Sequence, residues 1–256
     1  MTTATLDVSP APGAAPAYRQ LAAQTATELR LTLRNGEQLL LTIVIPTVLL
    51  LLFASAPIAD LPGRRIDFLV PGVLALAVMS TAFTGQAIGT GFERRYGVLR
   101  RLGTTPMTRA TLLAAKTIAV CCVEVIQVAV LCGVGWADGW SPHGDPALVV
   151  GLLAAGTVAF SALGLLMAGT LRAEATLAAA NLVYLVLLIL GGVAFPLTDF
   201  SGATRDLVRL LPIAALTDGL RSVLGSGGGV SARDWLTLLG WAVAGGAAAT
   251  RWFRWE

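Results

Sequence analysis

The side chains able to do chemistry are few and lie inside apolar runs. Glu124 stands near the middle of the hydrophobic run 111–136, and Gln127 follows one turn later on a similar face. A carboxyl at that depth costs about 2.5–3.5 kcal/mol even on the lenient insertion scale, so it faces a partner or water. Two readings are open: a polar or proton-linked point on a pathway, or an interhelical hydrogen bond. Gln86 is isolated in the run 68–91, and Asn181 and Tyr184 share a helical face in the run 175–197. These groups suit either the wall of a route or helix–helix contact. In the run 38–58, Pro46 predicts a kink, with Thr42 and Thr47 placed to satisfy the freed backbone groups.

Other chemistries are excluded or disfavoured. His143 is the single histidine, so multi-histidine metal sites are out; with Asp138 and Asp145 in the turn WADGWSPHGDP it reads as solvated. Cys121, Cys122 and Cys132 share one apolar run without accompanying histidines, which makes neither a zinc site nor a disulfide framework. Lys116 is the only lysine, and Ala114-Ala115-Lys116-Thr117 lacks the glycines that let a backbone wrap phosphates. It is expected to snorkel to the inner interface. The chain therefore reads as a non-enzyme, and any ATP hydrolysis must be supplied by another polypeptide.

The elements that position these residues are membrane spans. Of 256 residues, 55% are hydrophobic and 13% charged, and mean hydropathy is +0.75; soluble domains carry about 25% charge. Six runs approach the ~20 residues that cross a bilayer, at 38–58, 68–91, 111–136, 147–171, 175–197 and 235–252. Residues 1–17 read as a disordered cytoplasmic tail, 18–37 as an amphipathic connecting helix at the interface, and 38–256 as the six-span domain. The run 147–171 carries Gly151, Ala155, Ala159, Gly164 and Ala168, a face that lets helices approach closely. Residues 200–229 predict two short amphipathic helices, re-entrant from the outer side, ending in a flexible 225–229 link. Twelve of the 18 basic residues fall in inner segments when both termini are cytoplasmic, which fixes the orientation. The net charge of +3 is too small and uneven to indicate nucleic acid.

The densest basic connection, 92–116, reads FERRYGVLRRLGTTPMTRATLLAAK. Phe92, Tyr96, Leu99 and Leu102 recur at helical spacing, with Arg94, Arg95, Arg100 and Arg101 on other faces. One amphipathic helix over 92–102 is predicted. Gly103 suits its end, and Thr105-Pro106 suits the cap and first position of the next helix.

On Glu93-Arg94-Arg95, Gly97, Leu99, Leu102, Thr105-Pro106 and Ala115-Lys116, the chain resembles ABC-2 type exporter permeases. Val98 and Arg100 depart from the family's usual Thr and Glu. FLVPGVLALAVMSTAF, GGVAFPL and LLPIAALTDGLR extend the likeness over most of residues 20–255, most closely to the actinobacterial drug-export branch. The resemblance implies an all-α, six-span subunit of a plasma-membrane exporter for amphipathic drug-, antibiotic- or lipid-like molecules. It implies a homo- or heterodimer of permeases with two copies of a cytoplasmic ATPase. ATP and Mg would sit on that partner and no cofactor on this chain. Residues 92–102, Glu93 included, would form the coupling helix, and the first and fifth spans would meet the other half near the pathway, close to Thr42, Pro46, Asn181 and Tyr184. The competing reading is an ion-coupled secondary transporter centred on Glu124.

Overall fold

The computed structural model describes residues 13–55, 64–193 and 202–255, and every regular element within them is helical. In chain order these are α1 (Ala17–Arg34), α2 (Gly36–Ser55), α3 (Arg65–Val78), a π-helical stretch (Met79–Gly85), α4 (Gln86–Arg95), α5 (Val98–Leu102), α6 (Arg109–Ala137), α7 (Pro146–Thr170), α8 (Ala173–Leu190), α9 (Gly202–Val208), α10 (Pro212–Ser226) and α11 (Ala232–Trp252). Most of the expected 1–17 tail, and the outer ends of the runs 38–58 and 175–197, lie outside the described residues.

Among the described residues, five helical segments are long and apolar enough to cross a membrane: Gln38–Ser55, Arg65–Arg95, Arg109–Ala137, Pro146–Thr170 and Ala173–Leu190. The protein is an all-α membrane protein. The second segment continues unbroken from α3 through the π stretch to α4. α11, at 21 residues, spans about 31 Å at ~1.5 Å per residue, but Arg233, Asp234 and Arg251 dilute its apolar character.

Local chemistry sets the boundaries. Asn35 divides α1 from α2: its Oδ1 accepts from the Gln38 amide at 3.2 Å, capping α2. Thr108, not Thr105, caps α6, its Oγ1 accepting from the Thr111 amide at 3.1 Å. Thr105 is already engaged with the preceding helix, donating to the Leu102 carbonyl at 2.6 Å. Asp145 Oδ1 accepts from the Ala147 amide at 2.8 Å, and Pro146 opens α7 at a position that needs no donor.

α7 is the central element and packs on α11, α4, the π stretch and α10. Its small residues are why. Ala159, Gly164 and Ala168 are buried, and a Cβ on Gly164 would fall 2.6 Å from the Phe83 carbonyl of the π stretch. α10, 15 residues long and almost wholly buried, is about 22 Å in length and too short for a ~30 Å hydrocarbon core. The 225–229 segment, expected as a free link, folds back on α10. Gly228 donates to the Ser222 carbonyl at 3.0 Å and the Ser222 hydroxyl to that of Gly229 at 2.8 Å. α2 and α8, by contrast, turn Leu41, Val44, Ile45, Leu182, Leu185 and Ile189 outward.

Candidate functional site

Three helices converge on one cation. Lys116 is 4% exposed, and its Nζ lies 2.9 Å from Glu28 Oε2 on α1 and 2.7 Å from Glu93 Oε2 on α4. The free snorkelling expected of Lys116 is thus corrected: its backbone lies seven residues, about 10 Å, into α6, and its ammonium is covered by Glu28 of α1 and Glu93 of α4. α1 docks through a mostly polar face carrying Gln24, Thr25, Glu28 and Thr32, while Leu31 and Leu33 point outward. Leu21 and Leu29 flank this polar face and are partly buried with it. The signal missed was Glu28, a lone carboxylate on an arginine-rich helix, at helical spacing from Gln24 and Thr32. A lysine shared by two carboxylates is held by charge-assisted contacts on both sides, and removing it would leave buried like charges facing each other.

A cavity of about 240 Å³ adjoins this triad, lined among others by Glu28, Gln38, Thr42, Gln86, Glu93 and Lys116. Its upper wall is built from backbone chemistry. Pro46 has no N–H, so the Thr42 carbonyl, four residues earlier, loses its intrahelical donor. Neither expected threonine supplies it. Gln127, fully buried on α6, donates to the Thr42 carbonyl at 2.7 Å and accepts from the Thr81 hydroxyl at 3.2 Å. Thr47 bonds instead to the Ile43 carbonyl at 2.7 Å. Gln86 donates to Ser161 Oγ at 3.1 Å, tying α4 to α7.

Glu124 is not part of this cluster. One turn before Gln127, it faces α7, where its Oε2 accepts from Thr157, and it lines a separate, largely apolar cavity of about 330 Å³. Asn181 is exposed and donates to its own helix at the Leu177 carbonyl, 2.9 Å away, while Tyr184 packs on the main core. Thr42 and Gln86 thus line one cavity, Gln127 joins it through the Thr42 carbonyl freed by Pro46, and Glu124, Asn181 and Tyr184 lie apart.

Where α4 meets α5, the single helix expected over 92–102 is broken. Gly97 adopts φ +74°, a left-handed turn that ends α4 and starts the five-residue α5. Phe92 and Tyr96 stack on each other beside α4, their centroids 6.1 Å apart, and Leu99 and Leu102 belong to α5. Leu99 is wholly buried in a cluster with Leu112, Leu165 and Phe253, with Leu102 packed against it. Glu93 turns inward to Lys116. Arg94 donates to the Leu171 carbonyl and Arg95 pairs with Glu174, fastening α4 to the α7–α8 corner. Tyr96, Val98, Arg100 and Arg101 remain on the exposed side.

The opposite end of the bundle is tied by an arginine of α10. Arg221 on α10 donates from Nη1 to the Gly192 carbonyl at 2.6 Å and from Nη2 to that of Val193 at 2.9 Å, and lies 3.5 Å over the Phe68 ring. Burial lowers its pKa to about 10, partly opposed by the Asp218 carboxylate, and burial likewise raises Asp218 above the ordinary aspartate range.

Comparison with known proteins agrees with this architecture. No curated protein matches the chain. The family model described as ABC-2 type transporter matches residues 19–224, from the first turns of α1 to near the end of α10. The chain belongs to the ABC-2 type transporter family and is a membrane-spanning permease subunit of an ABC transporter.

Proposed function

We propose that this permease is the membrane half of an exporter that moves amphipathic drug- or lipid-like molecules outward across a bacterial plasma membrane, with both termini cytoplasmic. The observation that carries the reading is the two-sided α4–α5 corner. Leu99 anchors it in the bundle at 0% exposure, while Tyr96 and Arg101 stand on the exposed side. Force on the exposed side passes through Leu99 to α6, α7 and α11, and through Glu93 and Lys116 to α1. The docked partner would be two ATPase copies, binding ATP and Mg. A second permease would cover the outward-turned faces of α2 and α8, and α11 serves as the sixth span. The cavity flanked by Thr42, Gln86 and Gln127 lies on the α2 side, where two permeases would meet. An ion-coupled mechanism through Glu124 has less support, because Glu124 lines a different cavity from Thr42 and Gln86.

The test is co-purification with an ATPase and measurement of ligand-stimulated hydrolysis for the wild type and for Tyr96→Ala/Arg101→Glu. Loss of ATPase retention or stimulation by the variant, with the permease still monodisperse, is expected; full stimulation would sink the docking claim.

A further inference from the structure

The apolar cavity between α6 and α7 is not explained by coupling. It is lined by Cys121, Glu124, Val128, Leu153 and Thr157, with Val125 and Val150 at its exposed mouth. Glu124 is 5% exposed, and its Oε1 is buried without a hydrogen-bond partner. Its Oε2 shares the single Thr157 hydroxyl hydrogen with the Leu153 carbonyl, 2.8 Å from that oxygen. Both carboxyl oxygens are therefore short of donors, in a slot whose other walls offer almost none. Leaving such an acceptor unsatisfied is costly in hydrocarbon. The volume, about 330 Å³, falls within the range of small-molecule pockets, ~300–1,000 Å³.

We propose that this slot is a lateral binding site for a single-chain amphipathic amine that enters from the bilayer and sets its ammonium against Glu124. An ammonium brings three donors and a compensating charge to the two oxygens, and the alkyl chain fills the apolar walls. Depth selects the shape of the ligand. Glu124 is fifteen residues from the start of α6, about 22 Å along the helix, so the headgroup of a two-chain lipid anchored at the surface does not reach it. The site lies outside the Thr42–Gln127 cavity, and its occupation does not depend on the exporter reading or on an ATPase.

The experiment is photolabelling of the full-length protein in phosphatidylcholine vesicles with a twelve-carbon alkylamine bearing a mid-chain diazirine. The matching alcohol and alkane probes run alongside, and adducts are mapped by mass spectrometry. Saturable labelling within 121–129 or 150–157 is expected, displaced by dodecylamine and reduced at least tenfold in Glu124→Gln. Ala154→Phe, which fills the slot and keeps the carboxyl, should reduce it as much and decides the matter where Glu124→Gln does not fold. Equal labelling by amine, alcohol and alkane, or amine labelling unchanged in the folded variants, overturns the proposal.

Discussion

Gln127 donates to the Thr42 carbonyl at 2.7 Å, and Thr42 is the residue whose intrahelical donor Pro46 removes. A proline on one helix is thus answered by an amide on another, eighty-five residues away in sequence. The arrangement lets α2 bend at Pro46 without an orphaned carbonyl in hydrocarbon, and it couples α2 to α6.

That pairing predicts a thermodynamic cycle. Gln127→Leu should destabilise the protein by about 1–2 kcal/mol, the range of buried interhelical hydrogen bonds. In a Pro46→Ala background the backbone N–H restored at that position serves the Thr42 carbonyl, and the cost of Gln127→Leu should fall by about 0.5–1.5 kcal/mol. Thermal unfolding in detergent measures both; an identical cost in the two backgrounds would refute the pairing.

Removing Lys116 alone should be severe. Lys116→Met leaves Glu28 and Glu93 facing each other in the interior, a loss of about 3–5 kcal/mol. Lys116→Met with Glu28→Gln and Glu93→Gln should recover most of it. If the triple variant melts as low as the single one, the ion triad is not what holds α1 to α4 and α6.

Glycine substitutions separate close packing from open surface. Gly164→Ala drives a methyl into the Phe83 carbonyl and should cost about 1–3 kcal/mol. Gly133, on α6, has open space around it, and Gly133→Ala should be neutral or gain up to ~1 kcal/mol of helix propensity. Melting temperatures that move together for the two variants would contradict the α7–π contact.

Leu99→Asp should leave little folded protein, because the side chain has 0% exposure and the charge has no partner in its cluster. Gly97→Val forces a β-branched residue to φ +74° and should cost about 1–3 kcal/mol. Limited proteolysis at the α4–α5 turn reads the second effect. Undiminished resistance of Gly97→Val would argue against the left-handed turn.

The helical class and five of the six apolar runs were legible because each is written in local composition. Glu93 shows where that stops. Its place among Arg94 and Arg95 makes it look like part of a charged surface, yet it turns inward because Lys116 arrives from another helix. Lys116 meets Glu28 across eighty-eight positions, and no window of neighbouring residues contains that fact. The break at Gly97 was recoverable: a glycine between paired arginines and a short apolar repeat is a helix end as readily as a helix interior. The π stretch was not, and its Phe83 carbonyl packs against Gly164 of α7, a contact no local window contains.

Arg221 gives its end of the bundle a mechanical character. By gathering the Gly192 and Val193 carbonyls while lying on Phe68, it bolts α10 to the end of α8 and to α3. Lifting α10 away would strand two acceptors and a guanidinium at once. This end is therefore an abutment: under the proposed coupling at the Gly97 corner, a force applied there would act against the point fixed by Arg221.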